Sequence, residues 1–410
     1  MPIRLDQIPA PALRPAPPRV WVWLILLPLF LLVGVGVAWV FAPPAWREQP
    51  MMLWGAALGG PLVGWCLLGF GRTALYLGQH RVADGWDEAR QDDLINQTRQ
   101  GRRSQQILGV SLYTALRTPG SPPTGQLDAL LDGNASLEAQ PASQGELPLR
   151  HSRLPGDRKD PELALLRMLL QVLEDLRQTL EPLPDATPLA LLLEVDSGLP
   201  DSTLQRVWRK AWSECGIRQS TVAVEGHGLA AVDQWLDQRI NDQALLMVVA
   251  AQFAPEQAEG TAEAAVGLLF GNRLTQTTLA PIAYLHRPEQ ERTPTGADLL
   301  YAARQALDWV PLPAPSIEQV WRVGIDAQRR ADLATASADV PLPAKPKQGL
   351  CDLDDLLGNP GKASPWLAIA AATQTIERSA GAQFIFSGGD VAAGLWSTVL
   401  MPVSPLSKQV

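Results

Sequence analysis

Two long uncharged segments near the N-terminus dominate the pattern of hydrophobic and polar positions. Residues 20–41 and residues 51–71 contain no charged side chain. At about 1.5 Å of rise per residue, each segment spans roughly 30 Å as a helix, which is the thickness of a bilayer's hydrocarbon core. The connection of residues 42–50 is so short that the helices must lie antiparallel. The pattern therefore predicts a transmembrane hairpin over residues 20–71, after a tail of residues 1–19.

Basic residues predict the orientation of this hairpin. Arginines flank both of its outer ends, whereas the connecting loop has only Arg47. By the positive-inside rule both ends face the cytoplasm, and so does the domain that follows. A cleaved signal peptide is a poor alternative, because the first apolar run is too long and no small-x-small cleavage site follows it. The flanking arginines are Arg4, Arg14, Arg19, Arg72 and Arg81.

Four glycines of the second segment occur in two pairs with a spacing of four residues. Small residues at this spacing let helix backbones approach closely in a membrane. The glycines either pack the hairpin against itself or contact a second copy of the chain, which makes a homodimer one predicted assembly. The pairs are Gly55 with Gly59 and Gly60 with Gly64.

Apolar runs alternate with helical spacing over the remainder of the chain. Continuous runs such as residues 189–193 are typical of strands that are buried on both faces, and residues 162–180 show the three-and-four spacing of a helix. The alternation predicts an α/β domain over residues 106–410, joined to the hairpin by a charged helical linker of residues 72–105. The other predicted strands are 106–116, 221–224, 244–251, 264–270, 278–285, 317–323, 384–387 and 397–403. The other predicted helices are 86–104, 203–215, 229–240, 297–307 and 366–379, and the predicted loops are 119–123 and 334–346.

Composition and charge narrow the possible functions. The 410 residues carry a formal net charge of −8, which gives no reason to expect a nucleic acid as partner. The three cysteines, Cys66, Cys215 and Cys351, do not form a disulfide framework. No phosphate loop, zinc spacing or Ser/His/Asp motif occurs, so no cofactor is predicted. Three aspartates after Cys351 are too few for a metal site and are interpreted as a solvated loop. They are Asp352, Asp354 and Asp355.

Five segments together carry a resemblance to a known family. ILGVSLYTALRTPGSPPTGQLDALLDGNASLE gives a strand, a loop and a short helix, and TVAVEGHGLAAVDQWLDQRINDQALLMVVAA gives a strand that turns sharply into a helix. AEAAVGLLFGN, LLGNPGKASPWLAIAAATQTIE and AQFIFSGGDVAAGLWSTVLMPV follow in that order. Their order and spacing resemble the β-ketoacyl synthases of the thiolase-like superfamily. The resemblance implies an α/β fold with two pseudo-symmetric halves in a five-layered α/β/α/β/α sandwich.

The resemblance also implies where a nucleophile would lie. Condensing enzymes of this superfamily place a cysteine at a helix N-terminus, where the helix dipole favours the thiolate that attacks a thioester. Here the corresponding turn reads Gly226-His227-Gly228, and no cysteine occurs between residues 217 and 350. His227, between two glycines, either lines a pocket or is an ordinary turn residue.

The two histidines that the resemblance implies are replaced as well. The first position reads Ile325-Asp326, and the second, a Gly-His pair in the family, reads Gly358-Asn359. An asparagine can donate a hydrogen bond but cannot take up a proton. A late turn, Ser387-Gly388-Gly389-Asp390, resembles a turn that lines the pocket in the family. The predicted remnant of the pocket is therefore Gly226, His227, Gly228, Gly358, Asn359 and Ser387.

These substitutions predict that the chain is not an enzyme but a membrane-anchored binding, adaptor or scaffold protein. It resembles adaptor and accessory proteins of type VI secretion, which implies a bacterial inner membrane location and, besides the lipid bilayer, a secreted effector or a secretion-complex subunit as partner. One alternative is an acyl-transfer or hydrolytic enzyme that reuses the pocket with His227 as base. Another is a structural subunit of a membrane complex that makes its main contact through the hairpin.

Overall fold

The computed structural model describes residues 3, 5–117, 125–135, 137–140, 149–155, 159–343, 345–346, 349–389 and 394–403. The chain forms two compact units, an N-terminal unit of Arg4–Thr98 and a C-terminal unit of Arg99–Val410 with Met1–Ile3. The helices that begin in the N-terminal unit are α1 (Val20–Phe41), α2 (Pro44–Arg47) and α3 (Pro50–Gly101). The last turn of α3 belongs to the C-terminal unit.

The C-terminal unit alternates strands with helices. Its strands are β1 (Ser104–Thr114), β2 (Glu138–Gln140), β3 (Leu149–Ser152), β4 (Leu189–Ser197), β5 (Thr221–Ala223), β6 (Leu245–Phe253), β7 (Thr261–Ala262), β8 (Ala264–Asn272), β9 (Ala283–His286), β10 (Glu289–Gln290), β11 (Ile317–Val323), β12 (Lys345–Pro346), β13 (Gly349–Asp352), β14 (Ala382–Ser387) and β15 (Trp396–Pro402). Its helices are α4 (Gly125–Leu131), α5 (Pro161–Leu180), α6 (Asp201–Cys215), α7 (Gly228–Gln238), α8 (Gly296–Asp308), α9 (Arg330–Asp339), α10 (Leu353–Leu356) and α11 (Ser364–Glu377).

Two helices, α1 and α3, are long and apolar enough to cross a membrane by length and composition. The helix α3 does not end with its apolar part but runs on for 52 residues in all, so the predicted helix 86–104 is its charged end. Residues 72–100 contain no proline, and the helical hydrogen bonds therefore continue without a break.

The two apolar helices pack on each other through small and aromatic residues. Gly34 of α1 lies against Pro61 and the carbonyl oxygen of Ala57, where any side chain on Gly34 would collide. The Trp65 indole N–H donates to the Trp23 carbonyl oxygen at 3.0 Å. The four glycines with a spacing of four residues do not take part, because a Cβ built on any of them meets no described atom within 4 Å. They are Gly55, Gly59, Gly60 and Gly64, and their contact with a second copy stays a prediction.

An arginine in place of Leu62 tests whether α3 crosses a membrane. Leu62 lies within the apolar part of α3 and is partly exposed. A charge at a helix centre disfavours insertion by about 2.5–3.5 kcal/mol on translocon scales. We expect Leu62→Arg to reduce membrane integration, measured by the fraction of protein that resists alkaline extraction. Unchanged extraction would mean that this segment does not span the bilayer.

One strand order occurs twice in the main sheet. Within the described residues this sheet has twelve strands, in the order β12-β13-β11-β14-β15-β9-β1-β8-β6-β4-β5, with β10 beside β15. If the five strands of the first half (β1, β4, β5, β6, β8) are numbered along the chain, they lie in the order 3-2-4-5-1. The second half (β9, β11, β13, β14, β15) has the same order, and its last strand is likewise antiparallel to its neighbours. The halves join where β1 and β9 pair antiparallel.

The buried residues form three clusters, which separate five layers. One cluster lies between the outer helices α5 and α6 and the first half of the sheet, and another lies between the outer helices α8 and α9 and the second half. The third cluster surrounds the central helices α7 and α11. Helix α11 contacts strands of both halves, and thirteen of its fourteen residues are buried. The predicted five-layered α/β/α/β/α sandwich is confirmed.

Some predicted elements need correction. The strand predicted over residues 278–285 is limited to β9, and the preceding residues form a loop. The loop predicted over residues 334–346 begins inside α9, whose alanines favour a helix and whose Leu333 and Ala336 are buried. A small sheet, β2-β3-β7, has strands of two to four residues, too short for a hydrophobic pattern. The predicted loop 119–123 lies outside the described residues.

A buried network of charges follows the last turn of α3. Arg287 is completely buried, and its guanidinium contacts Asp233 at 2.6 Å and Asp237 at 2.7 Å, both on α7. The neighbouring Glu289 accepts a hydrogen bond from the Trp309 indole N–H at 2.5 Å. Gly101 is packed so closely on the Trp309 ring that no side chain fits there. Charged groups and a tight aromatic contact therefore hold the start of the C-terminal unit.

Glu289 predicts a pH dependence of stability. Burial raises the pKa of its carboxyl from 4.5 to about 7, although the cations of Arg287 and Arg292 oppose the shift. Between these values the folded state holds a proton that the unfolded state releases, so the free energy of unfolding falls as pH rises. Since one pKa unit is worth about 1.4 kcal/mol, the loss between pH 4.5 and pH 7 is about 3 kcal/mol.

We expect Glu289→Gln to remove the contribution of Glu289 to this slope, because glutamine keeps an acceptor for Trp309 but does not titrate. Denaturant unfolding of the full chain at several pH values measures the slope. Glu256→Gln, at an exposed position, is the matched control and should leave the slope as it is. An equal slope in Glu289→Gln and the unmodified chain would contradict the assignment.

Candidate functional site

The turn between β5 and α7 is the first part of the site. It begins after Val224, whose N–H donates to the Leu191 carbonyl oxygen at 2.8 Å. Gly226 and Gly228 have φ values of +106° and +53°, which favour glycine. Helix α7 then begins at Gly228, so this turn is a sharp elbow at the end of a strand.

A buried carboxylate occupies the N-terminus of α7. Glu194, from β4, is 7% exposed, and one of its oxygens accepts the Gly228 N–H at 2.5 Å. Its other oxygen accepts the Trp366 indole N–H of α11 at 2.6 Å. An anion is favoured at a helix N-terminus by the free N–H groups and the helix dipole. In this chain the protein's own side chain supplies that anion.

His227 lies at the elbow but points away from any enclosed space. Its side chain is 96% exposed, and its Nδ1 lies 3.8 Å from the nearer Glu194 oxygen, beyond hydrogen-bond distance. A base at this position would act on a molecule that docks on the surface. The elbow therefore presents an imidazole outward above a buried carboxylate.

The turn after β11 is held by a second carboxylate, which is half-buried. Asp354 accepts the Gly324 and Ile325 N–H groups at 2.8 and 2.9 Å. Burial raises the pKa of Asp354 from 3.8 to about 6, although these two hydrogen bonds lower it. The interpretation of the aspartate cluster as a solvated loop is therefore wrong for Asp354. Asp352 instead caps α10 and contacts Arg322 at 2.5 Å.

Gly358 and Asn359 connect the two halves of the unit. Gly358 has a φ of +95°, and a Cβ there would lie 2.7 Å from the Thr261 carbonyl oxygen. The Asn359 backbone N–H donates to the Gly260 carbonyl oxygen at 2.9 Å, and its carbonyl oxygen accepts the Ala262 N–H at 3.0 Å. Its side-chain oxygen accepts the Gly361 N–H at 2.8 Å, so the amide nitrogen is directed elsewhere.

Ser387 ends β14 and is completely buried. Its hydroxyl has no hydrogen-bond partner among the residues that the structure describes. The next residue, Gly388, donates its N–H to the Val323 carbonyl oxygen at 3.0 Å, which draws this turn toward the end of β11. Asp390 of the same sequence motif lies outside the described residues.

A polar cleft of about 460 Å³ lies at the ends of β11 and β13. It brings Ile325 and Asn359, two positions at which the resemblance implied the family's histidines, together with the half-buried Asp354. The elbow residues do not line it. Its complete lining is Leu137, Arg150, Gly260, Ile325, Arg330, Asp354, Asp355 and Asn359.

The buried cysteines are not arranged as nucleophiles. Burial raises the pKa of the Cys351 thiol to about 12, and it also raises the pKa of the Cys215 thiol. Neither lies at the N-terminus of a helix: Cys215 ends α6, and Cys351 lies within β13. In the described part of the chain, no group of three or more His, Cys, Asp or Glu side chains is placed to hold a metal ion.

Sequence reasoning missed Glu194, Arg150 and Arg330. Glu194 has a local signal, because it is the one charge inside the apolar run LALLLEV of β4. Arg150 and Arg330 have no such signal, since arginines in short strands and at helix starts are usually exposed. They come together only when the small sheet is placed beside α9.

Neither known protein families nor curated proteins match this chain. Several solved structures match its fold. The ishigamide ketosynthase/chain length factor matches with a TM-score of 0.54 and 17% identity, over 73% of this chain and 100% of that one. The PfaC keto synthase-chain length factor matches with a TM-score of 0.52 and 12% identity, over 74% and 43% of the two chains. The complex of AntDE with AntF, a type II polyketide synthase acyl-carrier protein with its ketosynthase, matches with a TM-score of 0.50 and 11% identity, over 73% and 100%.

These likenesses correct one prediction from the sequence. The prediction that the chain is not an enzyme rested on the missing cysteine and histidines. It is wrong, because the matching folds are those of ketosynthases and ketosynthase–chain length factor proteins, and no finding marks this chain as inactive. At these identities the likeness concerns the fold alone, and the C-terminal unit has the thiolase-like fold of condensing enzymes.

Proposed function

We propose that this chain is a membrane-tethered protein of the condensing-enzyme fold that binds a protein partner at the surface of the α7 elbow. The observation that carries the proposal is the placement of Glu194 and His227 at the elbow. The carboxylate fills the N-terminus of α7 from inside, and the imidazole is exposed to solvent. This arrangement leaves a rigid, outward-facing turn, which suits recognition by another protein.

The proposal includes a location and a setting. The two apolar helices support anchoring in a bilayer, which we take to be a bacterial inner membrane with the C-terminal unit in the cytoplasm. Arg19, Arg72 and Arg81 support this orientation, whereas Arg14 is already paired with Asp84 and Asp87. A secreted effector, a secretion-complex subunit and a second copy of the chain are the partners to be searched for.

Site-specific crosslinking tests the proposal. A photo-crosslinking amino acid at position 227 of the full chain in native membranes should give a discrete adduct, whose partner mass spectrometry identifies. The matched control is position 206, because Arg206 is also exposed but lies on the outer helix α6. The identified partner, once purified, should bind at least tenfold more weakly to His227→Glu than to Arg206→Glu. Equal crosslinking at both positions, or equal affinity, would contradict the proposal.

Acyl transfer or hydrolysis is the second candidate function, supported by the ketosynthase fold. In this alternative His227 acts as base toward a thioester that docks at the elbow. Purified full chain in detergent is incubated with acyl- and malonyl-carrier thioesters, and free thiol release is measured. Turnover that is lost in His227→Ala but kept in Arg206→Ala would support this candidate over partner binding.

A further inference from the structure

The polar cleft at the ends of β11 and β13 has walls from separate parts of the fold. Arg150 comes from β3 of the small sheet, and Arg330 is the first residue of α9. Asp354, Asp355 and Asn359 come from the segment between β13 and α11. A volume of about 460 Å³ is within the range of small-molecule sites in proteins.

The carboxylates of this cleft already bind other groups of the protein. The Asp354 carboxylate accepts two backbone N–H groups, from Gly324 and Ile325. The Asp355 carboxylate contacts the Arg330 guanidinium at 2.9 Å, and both side chains are about half exposed. An ion pair with that exposure contributes little to stability, so Arg330 can share its other N–H groups with a ligand.

The hydrogen-bond donors of the cleft, by contrast, are not all used by other residues of the protein. No described residue forms an ion pair or a side-chain hydrogen bond with the Arg150 guanidinium. The Arg150 backbone, by contrast, is held: its N–H donates to Glu259 at 2.9 Å, and its carbonyl oxygen accepts the Gly260 N–H at 2.8 Å. The Asn359 side-chain oxygen is engaged by Gly361, which leaves its amide N–H₂ as a donor. A guanidinium offers five N–H donors in a planar fork that matches the oxygens of a carboxylate or phosphate.

We infer that this cleft binds a small molecule carrying an oxyanion, a carboxylate or a phosphate, held by Arg150 and Arg330 with the Asn359 amide beside them. The inference does not depend on the proposed function, because the elbow residues do not line the cleft. Gly260 provides the space for the ligand, since a Cβ built on it meets no described atom within 4 Å.

Calorimetric titration tests the inference with two probes, inorganic phosphate and acetate, added to the full chain in detergent. We expect at least one probe to bind with a Kd on the order of 1 mM, since a lone anion uses only part of the site. The probe that binds more tightly identifies the chemistry as phosphate or carboxylate. Arg150→Gln should weaken that binding at least tenfold, whereas Arg206→Gln, at an exposed position on α6, should not change it.

A second variant tests the part that Arg330 plays in the cleft. Asp355→Asn releases Arg330 from its ion pair and should strengthen binding severalfold. Absence of binding by both probes, undiminished binding in Arg150→Gln, or weaker binding in Asp355→Asn would each overturn the inference. Arg150 and Asp355 are exposed, so both variants should fold, which circular dichroism verifies.

Discussion

Replacing Glu194 by alanine is expected to destabilise the C-terminal unit by about 3 kcal/mol, because two buried donors lose one charged acceptor. The Gly228 N–H and the Trp366 indole N–H both donate to this carboxylate. Without it, the N-terminus of α7 also loses the anion that complements its dipole. Denaturant unfolding of the full chain, followed by tryptophan fluorescence, measures the loss.

A conservative variant and a control variant show whether the loss of stability comes from the Glu194 carboxylate. Glu194→Gln keeps one oxygen acceptor and should lose less stability than Glu194→Ala. Glu225, in the same turn but exposed, is the matched control, and Glu225→Ala should change the free energy of unfolding by no more than about 0.5 kcal/mol. If Glu194→Ala and Glu225→Ala unfold alike, the carboxylate does not hold the elbow.

Replacing Arg287 by methionine is expected to cost about 3–5 kcal/mol, the usual penalty for removing one partner from a buried ion-pair network. The guanidinium is completely buried between Asp233 and Asp237 of α7 and also donates to the Gln100 carbonyl oxygen at 3.2 Å. Its loss leaves carboxylates without a counter-charge in a largely buried site. Methionine fills a similar volume, so lost packing contributes less than lost charge.

The destabilisation caused by replacing an arginine should depend on how deeply its ion pair is buried. Arg206 also pairs with a carboxylate, that of Glu162 at 2.7 Å, but its side chain is 60% exposed. Arg206→Met should therefore cost less than about 1 kcal/mol. Adding Asp237→Asn to Arg287→Met should recover part of the loss, because it removes an unpaired charge. Full additivity of the two substitutions would show that the groups do not interact.

The architecture could be predicted because its elements have strong local patterns. Every residue of β6 and β8 is buried, so both strands read as continuous apolar runs. Helices α5 and α6 bury one face each, which gives the three-and-four spacing. The limits of α7 and α11 follow from the glycine or proline near their starts.

The site could not be predicted to the same extent, because its groups meet across long distances in sequence. Glu194 reaches Gly228 and Trp366, which are 34 and 172 positions away. Asp354 reaches back to Gly324 and Ile325 in another strand connection. Such contacts depend on how the layers stack, and no local pattern records them. The glycines predicted the elbow from the sequence, but nothing in the sequence placed the Glu194 carboxylate beneath it.

The length of α11 has a consequence for biosynthesis. This helix is buried on nearly all sides, as the central layer requires, and it is synthesised after two helices that are suited to insertion into a membrane. Its fourteen residues extend about 21 Å, less than the roughly 30 Å of a bilayer's hydrocarbon core. Helix α11 is therefore too short to be retained as a membrane span, which leaves it available to fold between the two halves of the C-terminal unit.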